Sequence, residues 1–294
     1  MSDKKRKFSD WILILLYISA FGVLIYYLWD GRDYYLTPPV DRPHHEGHQL
    51  IKPGGIRGHG LGIIGTAMMI IMLLYSLRKR YSIFRNMGSI RMWLNFHIFL
   101  GISGPLFIVL HSAFKLNGIV AISFWSMIAV ALSGVLGRYL YIKIPRTISG
   151  TELDLREAEE YHQKLTRDVF ANYKIDETYI AKIETMIMGK IDAARGSLRV
   201  LLSLALSDVF LPLRMRRARK RIIRLTGISK KKAKIVVNNI KKKAILHRQI
   251  ALWQHVNNLF HYWHVIHKPF AIVMYLIMII HVTITVLLGY TWLF

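Results

Sequence analysis

Four histidines are the residues of this chain best placed to do chemistry. His97 and His111 lie fourteen residues apart in one apolar segment, and His267 and His281 lie fourteen apart in another. An α-helix advances ~1.5 Å and turns ~100° per residue, so fourteen residues span ~21 Å and return to within ~40° of the starting face. Each segment therefore presents two imidazoles on one stripe, one toward each side of a hydrocarbon layer ~30 Å thick. Two such segments side by side would make two axial imidazole pairs, the ligand set of two stacked b-type haems in a helical bundle. A lone histidine in a membrane helix is more often a hydrogen-bonding or packing group, because polar side chains there are costly and face the bundle interior. Two pairs at one spacing, both in apolar segments, weigh toward ligation.

The elements that must position these rings are membrane helices. The chain has 294 residues, 53% of them hydrophobic, and a mean hydropathy of +0.31, which places it with integral membrane proteins. It has no cysteine. Disulfides, Cys-ligated iron–sulfur clusters and thioether-attached haem are thereby excluded, so any haem is non-covalent. Methionine ligation is conceivable, but the methionines read mainly as packing. The apolar run after Lys4-Lys5-Arg6-Lys7 is too long for a signal peptide and reads as an uncleaved first helix.

Five spans are predicted, at Trp11–Trp29, Leu61–Leu77, Met92–Phe114, Ile119–Ile142 and His267–Phe294. A shorter run, Leu198–Leu213, holds Arg199 and Asp208 and reads as an amphipathic or interfacial helix. The expected fold is all-α, a polytopic membrane bundle. Residues 1–143 would carry spans one to four, with a His-rich outer loop over 30–60. Residues 144–260 would form a basic helical insert, and 261–294 the fifth span with the second histidine pair.

Positive charge sets the expected orientation. Lys4–Lys7, then Arg78, Lys79, Arg80, Arg85 and Arg91, then the insert are the basic regions, and the positive-inside rule puts all three in the cytoplasm. The N-terminus would lie inside and the C-terminus outside, in what reads as a prokaryotic cytoplasmic membrane. The loop over 30–60 and the Ser112–Gly118 turn would face out. Spans three and five then run parallel, so His97 would pair with His267 near the cytoplasm and His111 with His281 near the outer face. His264 is a rival inner ligand, but it lies seventeen residues from His281, ~100° off the stripe. His255 and His261 read as interfacial.

Gly101 and Gly104 lie between the ligands of span three, where missing side chains would make room for a porphyrin or for a neighbouring helix. Gly62, Gly65, Gly134 and Gly137 raise the same choice. Pro105 and Pro269 remove backbone hydrogen bonds and are expected to kink their spans. Haem propionates would take cationic partners: Arg91, Arg138 and Lys268 on the inner side, Arg57 and Lys115 on the outer. The alternative for each is ordinary snorkelling and topology charge. His44, His45, His48 and His59 cluster in the outer region. His59 suits a proton acceptor for quinol oxidation; a zinc site or a third haem there is a lesser alternative.

The insert is acidic over Glu152–Glu160, but no acidic residue follows Asp208. Arg214–Arg224, Lys230–Lys234 and Lys241–Lys243 are dense in cations, and Ser229 can cap a helix starting at Lys230. Such clusters beside a membrane favour anionic lipid, at ~1 kcal/mol per basic side chain. They could instead dock an acidic electron-transfer protein. No motif supports nucleic acid.

The paired His-x13-His helices resemble the dihaem cytochrome b superfamily, which includes the cytochrome b of respiratory quinol complexes and the transmembrane domain of ferric reductases and NADPH oxidases. The resemblance is carried by Trp93-Leu-Asn-Phe-His97 through His111, by Ser133-Gly-Val-Leu-Gly-Arg-Tyr-Leu-Tyr141, and by Trp263-His-Val-Ile-His267-Lys-Pro through His281. The ferric-reductase-like form is nearer, because a single span separates the ligand helices. The resemblance implies an electron-transfer subunit of an oxidoreductase, quinone- or ferric-reductase-like, carrying electrons across a membrane through two haems. Reductases of that type continue into flavin and nicotinamide domains. This chain ends at Phe294 after its last span and shows no dinucleotide-binding glycine fingerprint. Its electrons are therefore expected from a quinol or a separate protein. The contrasting class is a non-redox membrane scaffold or transporter that uses its histidines for packing or proton relay.

Overall fold

The computed structural model describes residues 3–84, 86–115, 117–144, 177–189 and 196–289, together with positions 156, 160 and 163. Arg85, most of the acidic stretch Glu152–Glu160 and the end of the fifth predicted span fall outside the described residues. What is described is helical, with no strand among the described residues. Eight helices matter for the argument: α1 (Asp3–Asp30), α2 (Ile56–Met72), α3 (Ile90–His111), α4 (Val120–Tyr141), α5 (Glu177–Met188), α6 (Ser197–Thr226), α7 (Lys230–Ala251) and α8 (Trp253–Leu287). The chain divides into two compact units, residues 1–136 with 265–294, and residues 137–264. The division falls inside α4 and α8.

Five helices are long and apolar enough to cross a membrane, the one containing α2 running with its neighbours from His48 to Arg80. In hydrocarbon every backbone N–H and C=O must be satisfied within the protein, which a helix does by itself. Two predicted boundaries shift. α2 begins at Ile56, so His59 sits in its first turn and not ahead of it. α8 begins at Trp253, fourteen residues before the expected start at His267. Hydropathy marks where a helix turns apolar, whereas its hydrogen-bond ladder continues through polar residues such as His255, Asn257 and His261. α3 and α8 run through Pro105 and Pro269.

In the first unit, α2 and α3 make the closest approach. A Cβ on Gly65 would stand 3.0 Å from the Gly104 carbonyl oxygen, and one on Gly104 would stand 3.4 Å from that of Gly65. Two apolar clusters join α1 to this pair: Leu13 with Met72, Phe99 and Leu100, and Leu24 with Leu61, Phe107 and Leu110. Met69, Met127 and Met274 join α2, α4 and α8. The loop between α1 and α2 is fastened by Arg42, which is buried among carbonyls. It donates to Thr37 O at 2.9 Å, Tyr35 O at 2.9 Å and Ala113 O at 2.5 Å, just past the end of α3.

The second unit is a small helical domain. Ile180, Ile183 and Ile187 of α5 pack with Ala218 and Ile222 of α6 and with Val236, Val237 and Ile240 of α7. Ser229 caps α7, its hydroxyl accepting from Lys232 N at 3.4 Å as the sequence predicts. Two carboxylates organise the basic chain around them. Glu184 accepts from Lys243 at 2.9 Å and from His247 Nδ1 at 2.8 Å. Asp208 accepts from Arg248 at 2.7 Å and Tyr139 Oη at 2.9 Å, and pairs with Lys143.

Candidate functional site: the intramembrane histidines

His97, Gly101, Gly104, Ile108 and His111 form one stripe of α3, and that stripe faces α2. Gly101 meets Met72, and Gly104 meets Met69 and Gly65. Of the two uses their position between the ligands allows, a porphyrin or a neighbouring helix, the room beside these glycines is taken by the contact with α2. Close packing of this kind is what small residues do in membranes.

The same contact positions both rings. α2 breaks at its end: Leu73 N bonds back to Ile70 O, and Ser76 N bonds to Leu73 O. These three-residue bonds divert the partners that the carbonyls of Met69 and Met72 would have in an unbroken helix. The Met69 oxygen is taken by Tyr275 Oη at 2.7 Å, and the Met72 oxygen by His97 Nδ1 at 3.2 Å. At the other end of α2, His111 Nδ1 reaches the Gly58 oxygen at 2.9 Å. Gly62 makes this possible, because a Cβ there would lie 2.6 Å from His111 Nδ1.

α8 carries the other stripe, His267, Ala271, Met274, Met278, His281 and Thr285, spaced alternately by four and three. Ser133 on α4 holds His267, with Oγ and Nδ1 2.7 Å apart. The Ser133 hydroxyl also lies 2.9 Å from Val130 O, and when it donates there its oxygen accepts from the imidazole. Carbonyl oxygens only accept, so in His97 and His111 the proton sits on Nδ1, and in His267 it does so with Ser133 turned to Val130. Nε2 in each neutral ring then carries the lone pair. Metal-ligating histidines are oriented in this way, one nitrogen donating to a fixed acceptor while the other faces the metal.

The rings are half-buried, and His111, His281 and His59 lie within electrostatic reach of one another. His97 and His267 are held separately, on α2 and α4. Beside Ser133, Gly134 has no heavy atom within 4 Å of where a Cβ would stand, which leaves that surface of α4 flat. α8 is the least buried spanning helix, with 6% of its apolar window buried against 33% for α3. An imidazole whose Nδ1 is engaged by a fixed partner offers Nε2 as a donor, the chemistry an axial haem ligand needs, and His97, His111 and His267 would each supply it.

The cations expected to meet propionates have varied surroundings. Arg57 pairs with Asp30 and lies 5.1 Å from the Tyr27 ring. Lys115 is exposed four residues beyond His111, and Arg91 and Lys268 are exposed. Arg138 belongs to the other unit, with its guanidinium 5.5 Å from the Tyr141 ring. His264 Nδ1 donates to Phe260 O, in its own helix, at 2.9 Å. In the loop between α1 and α2, His48 reaches Tyr34 Oη at 3.2 Å, His45 accepts from Gly47 N at 3.0 Å, and His44 is exposed. No group of three or more metal-binding side chains is gathered among the described residues.

Met72, Gly58 and Ser133 are the residues holding these rings that sequence reasoning missed, and Gly62 was read only as a small residue at a helix or porphyrin contact. Met72 and Gly58 act through main-chain oxygens. Ser133, which opens the quoted Ser-Gly-Val-Leu-Gly segment, and Gly62 left a trace in residue type. Gly62→Ala is expected to push His111 off Gly58 and destabilise the bundle by about 1–3 kcal/mol. Gly134→Ala, at an open position, is expected to leave the denaturation midpoint in detergent unchanged. Comparison with protein-family models, curated proteins and solved structures gave no significant match.

Proposed function

We propose that this chain is a membrane dihaem cytochrome b, with His97 and His267 as the axial ligands of one non-covalent haem b and His111 and His281 as those of the other. The observation that carries this reading is the repeated fourteen-residue spacing on α3 and α8, together with the Nδ1 bonds that leave Nε2 of His97, His111 and His267 as the ligating atom. Bound iron would supply one-electron chemistry at two levels of the bilayer. The protein's part is to fix the imidazoles and to exclude water with the apolar side chains around them. The Nδ1–H donations to Met72, Gly58 and Ser133 lock ring orientation and make each Nε2 a stronger donor. Arg57 and Lys115 are the cations proposed to meet propionates.

In this reading the chain carries electrons across a prokaryotic cytoplasmic membrane, N-terminus inside and C-terminus outside. It works between a quinol/quinone pool or a partner redox protein on one side and a partner on the other, as an electron-transfer subunit of an oxidoreductase. His59, within reach of His111 and His281, is the proposed acceptor of a quinol proton. The basic insert meets anionic lipid or an acidic redox protein.

The test is a dithionite-reduced minus oxidised spectrum of the purified chain, with haem counted per polypeptide. Two b haems per chain are the expected result. Folded protein that takes up no haem when haem is supplied would overturn the reading in favour of a non-redox scaffold or transporter.

A further inference from the structure

Among the described residues of the second unit one helical face has no partner, and its chemistry changes along its length. On α6, Leu198, Leu202, Leu206, Val209 and Leu213 follow each other at intervals of four and three, and their exposures run from 49% to 71%. Such spacing keeps all five on one stripe. The opposite stripe, with Val200, Leu204, Ser207, Ala218 and Ile222, is buried. Past Arg214 the exposed stripe turns cationic, with Arg216, Arg217, Lys220 and Arg224 continuing the same face. At ~1.5 Å per residue, the apolar half is ~22 Å long and the cationic half ~12 Å.

We infer that this face of α6 docks on the surface of an anionic bilayer, its leucines entering the headgroup boundary and its arginines meeting lipid phosphates. An interfacial helix has this composition, aliphatic side chains and cations on a face that no protein covers. Three observations favour lipid over protein. The cations share a face with the leucines, so a parallel second copy seated on the stripe would bring like charges together. No carboxylate side chain follows Asp208 anywhere in the sequence, so that face meets no acidic side chain from the helices after it. The chain enters the unit from α4 and leaves it through α8, both long and apolar enough to cross a membrane. A bilayer is thus tethered to the unit whatever soluble proteins are present. This docking is independent of the haem reading.

The chain has no cysteine, so one introduced thiol is a unique label site. Full-length Leu206→Cys protein would carry an environment-sensitive dye in nanodiscs of phosphatidylcholine alone or with phosphatidylglycerol. Thr185→Cys, exposed on α5, is the reference. In the anionic discs the dye at 206 is expected to shift to the blue and to be quenched by spin-labelled lipid, while the dye at 185 reports water. Arg216→Glu with Arg217→Glu and Lys220→Glu should abolish most of the quenching. Raising ionic strength on the otherwise unchanged protein should weaken it, a check that does not depend on how that variant folds. A dye at 206 that reports water in both lipids overturns the proposal. Self-quenching between labelled copies overturns it in favour of a dimer. Equal quenching in both lipids overturns the requirement for an anionic bilayer.

Discussion

His97→Ala should leave a protein that binds one haem instead of two. Each proposed centre rests on two imidazoles from different helices, so removing His97 leaves His267 as a single ligand for that iron. Loss of a residue that only orients a ligand typically costs ~10–100-fold in metal affinity, and loss of the ligand itself costs more. The second pair stands one long helical stretch away on both stripes and keeps its own acceptor at Gly58. Its absorption should persist in the reduced-minus-oxidised spectrum. His111→Ala should do the converse, unless His59, which lies within reach of His281, replaces the lost ring. The double variant with His59→Ala removes that route. Equal loss of both centres from each single ligand variant would show that the two pairs are not independent.

Asp208→Ala should unfold the basic insert locally while the bundle keeps its helices. This carboxylate receives Arg248, Lys143 and Tyr139. The Arg248 side chain is only 8% exposed and that of Lys143 13%, so both cations would be stranded without their counter-ion. Breaking a buried pair from one side costs about 3 kcal/mol, more than replacing both partners together. Hydrogen exchange of full-length protein should show lost protection in α6 and α7 with α1 to α3 unchanged. Unchanged protection in α6 and α7 would assign their stability to the isoleucine core alone.

The same network sets a pH dependence. Burial pushes the Asp208 carboxyl up, but hydrogen bonds and charge from Lys143 and Arg248 outweigh burial and hold it below its ordinary range. Glu184 behaves alike, with burial opposed and exceeded by Lys243 and His247. Both carboxyls titrate lower when folded than when unfolded. Their stabilisation is therefore complete above the ordinary carboxylate values of about 4 and is lost as pH falls through the lower folded-state values. Acid should loosen the insert in that window, read by the same exchange experiment.

The spans, the four histidines and the α7 cap were legible because hydropathy, spacing and capping chemistry are written in residue types. The acceptors of the rings were not. Met72 and Gly58 act through main-chain oxygens, and Met72 is available only because α2 breaks at Leu73, next to Ile and Leu residues that carry no breaker signal. Gly101 and Gly104 were visible as small residues, but which neighbour they admit depends on the azimuth of α2, which no local pattern encodes. The early start of α8 was hidden because its first turns are polar. Arg42 gave no sign of burial, since its carbonyl partners are scattered from Tyr35 to Ala113.

Every residue owns a carbonyl, so no point substitution deletes the acceptors of His97 and His111. A substitution at Met72 keeps the oxygen that holds His97, whereas His111 is open to change through the space around it, since a side chain at Gly62 meets the ring and one at Gly58 meets Lys52 O. His267 stands differently, because its partner is a hydroxyl that a single codon change can remove. Genetic tuning of these rings, short of replacing them, therefore concentrates on Ser133 and on the two glycines beside His111.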